Sequence, residues 1–572
     1  MKKRTYKLTT PYASALDKNA VWTDYPRPQL KRDSYICLNG EWDFAVSGEA
    51  SAPTEYTERI LVPFPPESAL SGIERDIKRG ELMHYRRTFS LPEGFIKDRV
   101  IIHFGAVDQI ATLYINGQEL ITNEGGYLPF SCDITDALTE GENEIHLVAR
   151  DDLSRVYPYG KQTDKRGGMW YTPVSGIWQT VWLESLPAQP IRKIKITSDM
   201  RGATLEIDCD AKDKVLTLKS GERYEFSGDK IRIEPKEINL WSPESPYLYE
   251  FTLSTATDEV EGYFALREVG IDEFDGKKRA TLNGKPYLFS GLLDQGYYPD
   301  GIFLPATKDG YIEDIMLAKR LGFNMLRKHI KIEPMIFYHL CDKLGMVVFQ
   351  DMVNSSKYSF LFDTVFPTVG IYKQVMKHAD ERTREVFISQ MKGTLDLLYS
   401  SPSVLQYTVF NEGWGQFMPD ECYTLAKELC GGRLIDATSG WFAKEKNDFD
   451  SRHIYFRPLK VKHRNERPLF ISEFGGYSLR IDTHLFSDGN YGYRLFSDRD
   501  AFSKAVTKLY LDEALPLIDD GLSALVYTQL SDVEDETNGF ITYDRQELKI
   551  DEALMKDLNE RLYERLKTVT QK

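Results

Sequence analysis

From Gly270 onward the sequence alternates short apolar runs with amphipathic helical stretches, and this alternation narrows the possible folds more than any other feature. Candidate strands occupy 287–293, 323–326, 346–350, 404–410, 434–439, 452–455, 469–472 and 524–529. Between them, the stretch 311–321 places Ile312, Ile315 and Met316 on one face and stops at Gly322. The stretch 336–344 likewise stops at Gly345, as a helix ending on a left-handed glycine does. Strands and helices alternating in this way over about 300 residues predict a (β/α)₈ barrel. A doubly wound open sheet is the competing arrangement, but no glycine-rich phosphate fingerprint follows the first strand.

The first third reads as β-structure. Alternating runs recur at 100–104 and 111–115, and strand-like segments continue to residue 184. Asn116-Gly117 after Leu113-Tyr114-Ile115 predicts a type I′ hairpin, and Asn39-Gly40 before Glu41-Trp42-Asp43-Phe44 predicts another. A joint containing Pro187 and Pro190 marks a boundary, so a first domain is expected over 1–187. Shorter, more polar strands at 194–196, 204–207, 215–218 and 247–253 predict a small sandwich over 188–269, leaving 270–572 for the barrel.

At 572 residues the chain is long enough for about three or four domains. Its formal charge of −15 argues against a polyanionic partner, because nucleic-acid binding needs a basic stripe that displaces counterions. Met1-Lys2-Lys3-Arg4 is basic, but residues 6–19 hold no continuous apolar stretch, so no signal peptide is expected. No segment reaches the length of a membrane span. Six cysteines without paired spacing are read as reduced thiols in a cytoplasmic protein.

Barrel enzymes carry their working residues at the C-terminal ends of strands. The run 405–410 delivers Asn411-Glu412-Gly413-Trp414, and the run 468–472 delivers Glu473-Phe474-Gly475-Gly476. Each is an apolar strand feeding one carboxylate into a glycine-rich loop. Two such carboxylates facing one cleft are what glycoside hydrolysis requires: one protonates the departing oxygen, and the other attacks the anomeric carbon or activates a water. A lone Glu after a strand is usually a loop cap or a surface charge, but two of them after the fourth and seventh strands are harder to explain that way.

Several blocks resemble glycoside hydrolase family 2, which contains β-galactosidases, β-glucuronidases and β-mannosidases. In the barrel these are Leu282-Asn283-Gly284-Lys285-Pro286, Gly322-Phe323-Asn324-Met325-Leu326-Arg327, Phe410-Asn411-Glu412 and Ser472-Glu473-Phe474-Gly475. In the first domain they are Leu38-Asn39-Gly40-Glu41-Trp42-Asp43-Phe44, Tyr85-Arg86-Arg87-Thr88-Phe89 and the stretch 175–183. The resemblance spans nearly the whole chain in order. It implies a jelly-roll sugar-binding domain, an immunoglobulin-like β-sandwich and a barrel. It also implies retention of anomeric configuration, with Glu412 as acid/base and Glu473 as nucleophile, carboxylates roughly 5 Å apart and pKa values pushed apart. Arg327 would keep Glu473 charged, and Asn411 would donate to the sugar 2-hydroxyl.

Further contacts are expected from Asp294 and Gln295 to the non-reducing sugar, although many family members carry His where Gln295 stands. His329 would bind a hydroxyl or serve as a core histidine. Tyr455 and Trp441 are candidates for stacking on a pyranose, Trp414 for an aglycone platform, and Trp170 for a loop reaching the barrel mouth. The large β-galactosidases of the family bind magnesium through a Glu-x-His pair after the third strand. Here that region reads Gln350-Asp351-Met352-Val353-Asn354, so no metal and no other cofactor is expected. The Asn-x-Lys element with which β-glucuronidases grip a carboxylate is replaced by Glu536-Thr537-Asn538-Gly539, and Asp532-Val533-Glu534-Asp535-Glu536 adds four acids beside it. The expected substrate is therefore a small oligosaccharide or glycoside with a terminal neutral β-linked sugar, foremost a β-galactoside. Glucoside, mannoside, arabinopyranoside and galacturonide are the alternatives, and a carbohydrate-binding protein without catalysis is the reading from another class. The resemblance allows a homo-oligomer; nothing points to nucleic acid or a membrane.

Overall fold

The computed structural model describes residues 7–368, 379–463 and 466–571, so the basic segment 1–4 lies outside the described residues. The C-terminal part contains eight parallel strands, numbered here β1 (Phe289–Asp294), β2 (Met325–Lys328), β3 (Val347–Asp351), β4 (Val404–Asn411), β5 (Leu434–Ser439), β6 (Asp450–Ile454), β7 (Leu469–Gly475) and β8 (Leu522–Thr528). Hydrogen bonding runs in the order β5-β4-β3-β2-β1-β8-β7-β6, which bends the sheet into a near-closed barrel. Side chains bridge the remaining seam: Ser451 Oγ donates to Asp436 Oδ2 at 2.6 Å, and Ser439 Oγ meets His453 Nε2 at 3.0 Å. Apart from the start of β6, the strands are buried along nearly their whole length, because helices cover one face and barrel-filling residues the other. Phe289, Phe349, Leu405, Phe470 and Val526 are among the residues filling the lower barrel.

The helical expectations hold at both places where they were specific. One helix runs Asp309–Arg320 before Gly322, and the next runs Met335–Leu344 and ends on Gly345 at φ 74°. A β-hairpin, Val269–Phe274 with Lys277–Leu282, packs against the start of β8, where Ser523 Oγ accepts from the Ala280 amide at 3.1 Å.

Residues 35–186 form two antiparallel sheets of four and six strands around one hydrophobic core, and residues 193–264 form sheets of three and four strands around another. Asn116-Gly117 joins Ile110–Ile115 to Gln118–Glu124 with both residues at positive φ, as a type I′ turn requires. Asn39-Gly40 is not a hairpin. Tyr35–Cys37 pairs with Val181–Leu186, whereas Gly40–Ser47 pairs in the other sheet, so the dipeptide carries the chain between sheets. Asn39 stabilises that crossing through Oδ1, which accepts from the Val181 amide at 3.0 Å.

A loop of the first region reaches the barrel mouth. The Tyr159 amide donates to Asn354 O at 3.0 Å, the Thr172 amide donates to Glu534 Oε1 at 2.7 Å, and Tyr171 OH donates to Glu536 Oε2. Tyr127, Tyr171 and Trp178 from this region share an apolar cluster with Tyr297, Phe303 and Val533 of the barrel. The six cysteines are all free. Among the described residues no helix is long and apolar enough to cross a membrane.

Candidate active site

Because β4 and β7 end on the same face of the barrel, Glu412 and Glu473 come together in one pocket. One side-chain atom each of Glu412, His453 and Glu473 lies within 4.8 Å of the other two. Glu473 is buried, with both oxygens engaged: Arg327 Nη1 donates to Oε1 at 3.1 Å and Tyr455 OH donates to Oε2. Burial alone would raise the Glu473 pKa, but His453, the Arg327 guanidinium and the Tyr455 hydrogen bond outweigh it and hold the carboxyl below the ordinary range. Glu412 is the more exposed of the two, at 15% against 6% of the side chain, and its Oε1 meets His453 Nδ1 at 2.9 Å.

Glu412 sits at φ 55°, a left-handed conformation that costs a non-glycine residue roughly 1 kcal/mol or more. Two contacts hold it there. The Glu412 amide donates to Ser439 O at 2.9 Å, and Trp441 Nε1 donates to Glu412 O at 3.1 Å. The next residue, Gly413 at φ 76°, passes so close to Phe442 that an added Cβ would lie 2.3 Å from its ring.

Arg327, at the end of β2, organises the floor. Besides Glu473 it donates to Asp351 Oδ1 at 3.0 Å, Asn411 Oδ1 at 2.8 Å and Ser472 O at 2.9 Å. Asp351 also accepts from His329 Nδ1 at 2.7 Å. Burial, reinforced by Lys161, lowers the His329 pKa to about 4, so the imidazole is neutral and the proton shared with Asp351 lies on Nδ1. That leaves Nε2 as an acceptor.

The other expected residues divide. Gln295, His329, Asn411, Trp414, Tyr455 and Trp170 line the pocket with the two carboxylates. Asp294 does not. Its carboxylate is buried and accepts from Lys328 Nζ at 2.6 Å and the Gly296 amide at 2.8 Å, an ion pair inside the barrel wall. Tyr455 is not a free stacking surface, since its ring already stacks on Tyr493 with centroids 3.7 Å apart and its hydroxyl serves Glu473. Trp441 lines an adjoining groove with Phe456 and Arg457 that opens beside Glu412. Trp170 and Trp414 meet edge to face at 5.2 Å, forming an aromatic wall beside Glu412.

His453 was missed by the sequence reading although it bridges both carboxylates. The available signal was strand periodicity: His453 lies two residues before Tyr455 and therefore shares its face. A bulge between Arg452 and His453 adjusts the register there.

The acidic loop after β8 is neither a solvated rim nor a charged wall of the pocket. Asp532, Glu534, Asp535 and Glu536 are all buried. Asp532 Oδ1 accepts from Lys549 Nζ at 2.6 Å and from the Gly539 amide at 2.8 Å; Asp535 accepts from Ser487; and only Glu536 lines the pocket. Replacing Lys549 with Met should destabilise the protein by about 3–5 kcal/mol, because it strands a buried carboxylate. The double variant Lys549→Met/Asp532→Asn should recover most of the loss. Thermal denaturation of the two variants is the check, and a single variant as stable as the parent would show that this pair does not hold the loop.

Residues 76–187 match the model described as glycosyl hydrolases family 2, sugar binding domain, and residues 191–267 match a second described as glycosyl hydrolases family 2. The chain is similar to a Beta-galactosidase of Thermoanaerobacter pseudethanolicus, 27% identical over 296 residues, covering 47% of this chain and 39% of the relative. It thus spans about two-fifths of that relative's length. Among solved structures, a Beta-glucuronidase of an uncultured Clostridium sp. superposes with a TM-score of 0.73 at 19% identity, covering 94% of this chain and 99% of that one. A GH2 beta-galacturonidase from Eisenbergiella tayi bound to glycerol superposes with a TM-score of 0.68 at 18% identity, covering 94% and 98%. At such identities the structural likeness speaks to the fold. The two matched models lie in consecutive order ahead of the barrel, and over residues 76–187 and 191–267 the chain is similar to glycosyl hydrolases family 2.

Proposed function

We propose that this chain is a retaining, exo-acting β-glycoside hydrolase with Glu473 as nucleophile and Glu412 as acid/base. The spacing of the two carboxylates carries the reading. Oxygens within 4.8 Å of each other leave room for an anomeric carbon between nucleophile and acid, whereas inversion needs about 6.5–9.5 Å to admit a water. The environments support opposite roles. Glu473, ionised and steered by Arg327 and Tyr455, attacks the anomeric carbon while Glu412 protonates the departing oxygen. Glu412 then takes a proton from the water that releases the sugar from Glu473.

Asn411 presents its Oδ1 to Arg327, which fixes the amide and turns Nδ2 toward a sugar hydroxyl. His329 offers Nε2 as an acceptor for another. The loop carrying Trp170 and the loop carrying Glu536 wall the site into a pocket, which suits removal of a terminal sugar. The similar β-galactosidase of Thermoanaerobacter places β-galactosides on the panel of candidate substrates, and the similar β-glucuronidase and β-galacturonidase structures add uronides. The acidic loop does not exclude uronides, because three of its four acids are engaged outside the pocket. The test is hydrolysis of 4-nitrophenyl β-galactoside, β-glucoside, β-mannoside, β-glucuronide, β-galacturonide and α-arabinopyranoside. Turnover of at least one is expected, and no turnover of any would favour a carbohydrate-binding protein without catalysis.

A further inference from the structure

The pocket holds a cation from outside the barrel. Lys161 belongs to the loop of the first region and lines the same cavity as Glu412, Glu473, His329 and Gln295. Its backbone is pinned: the preceding residues Tyr159 and Gly160 donate to Asn354 O, and Lys161 O accepts from the Tyr171 amide at 3.0 Å. Its side chain is half-buried, and among the described residues no carboxylate lies within 4.0 Å of the ammonium; the Tyr171 ring lies 5.7 Å away. Two carboxylates of the same cavity are engaged on both sides by other groups, and the Oε1 of the third, Glu412, meets His453. Glu473 serves Arg327 and Tyr455, and Glu536 accepts from Tyr171 OH and from Asn538 Nδ2 at 3.1 Å.

A sugar entering this pocket strips water from the ammonium. Hydroxyl oxygens replace that water with hydrogen bonds to a neutral acceptor, whereas an anionic oxygen adds the attraction of an ion pair in a partly desolvated site. An ammonium held on a fixed loop, with no carboxylate of the described residues within 4.0 Å, is therefore matched to a negative substituent on the glycone. A cation arriving from a different part of the chain can serve a site whose loop after β8 lacks the Asn-x-Lys lysine.

We propose that Lys161 is the specificity-determining cation of this pocket and selects a glycone bearing a uronate carboxylate. The proposal rests on the β-glycosidase reading but can be tested apart from it. Quenching of tryptophan fluorescence, with Trp170 and Trp414 as reporters in the pocket wall, is titrated with glucuronate, galacturonate, glucose, galactose and galactose 6-sulfate. A uronate should bind at least about 10-fold tighter than its neutral counterpart, Lys161→Met should erase that preference, and Lys161→Arg should keep most of it. Where the panel is turned over, Lys161→Met should lower kcat/KM for the uronide by about 30-fold, mainly through KM, while shifting neutral glycosides less than about 3-fold.

Equal weakening of neutral and anionic sugars by Lys161→Met would overturn the proposal, and so would tighter binding of the neutral sugars by the parent protein. A preference for galactose 6-sulfate over both uronates would overturn the carboxylate assignment. Binding needs no turnover, so an inactive protein that still prefers uronates sinks the catalytic reading alone. A protein that hydrolyses only neutral glycosides sinks this proposal alone.

Discussion

Replacing Glu473 with Ala should lower kcat by roughly 10⁴-fold or more on every substrate the protein accepts, because no covalent intermediate can form. The loss should not depend on the leaving group, since the missing step precedes and follows every departure. The fold should tolerate the change. Glu473 lies at the end of β7 rather than in the lower barrel packing, although Arg327 and Tyr455 lose a shared partner. The carboxyl is held below the ordinary range when folded, so its ionised form contributes stability above the unfolded pKa that is lost as pH falls through the folded value. The acid limb of kcat/KM assigned to Glu473 should accordingly lie below pH about 4.3, the ordinary value for a glutamate. An active Glu473→Ala enzyme would remove this residue from the chemistry.

Replacing Glu412 with Ala should divide the substrates. Natural glycosides, whose leaving oxygens need a proton, should lose roughly 10²–10⁴-fold, while aryl glycosides with acidic phenols should lose far less in the glycosylation step. Added azide should restore turnover by attacking the glycosyl-enzyme without base assistance, and the product should be a β-glycosyl azide. Steady-state rates across a series of phenols of graded acidity provide the check. The same loss on every phenol would show that Glu412 does not supply the proton. Trp441 and Ser439 hold the Glu412 backbone in its left-handed conformation, so the substitution leaves the loop's own contacts in place.

Much of the barrel was legible because its signal is local. All eight candidate strands overlap β1 to β8, since a parallel barrel strand is buried on both faces and writes itself as an apolar run. The same rule placed Glu412 and Glu473, because strand ends are local features too. Where the sequence reading failed, the deciding partner was remote. Asn39-Gly40 has hairpin composition, but the pairing of Tyr35–Cys37 with Val181–Leu186, about 145 residues away, makes it a crossing between sheets. Asp294 ends a barrel strand as a ligand would, yet Lys328 on the neighbouring strand claims its carboxylate. The acids at 532–536 resemble a charged rim until Lys549, Ser487, Thr172 and Tyr171 are seen against them. Lys161 could not be placed by any local pattern, because a loop from one region reaches a pocket built by another. His453 alone was within reach, two residues from a residue already chosen.

Double displacement across the Glu412–Glu473 pair is the central claim, and the configuration of the first product tests it most directly. Proton NMR of the anomeric region, recorded within minutes of mixing enzyme with whichever 4-nitrophenyl glycoside of the panel it hydrolyses fastest, resolves the two hemiacetals before they equilibrate. Carboxylate oxygens within 4.8 Å predict that the sugar appears first with the configuration of the substrate and that its anomer grows in only by later mutarotation. First appearance of the opposite anomer would mean direct attack by water, and would contradict the assignment of Glu473 as a nucleophile.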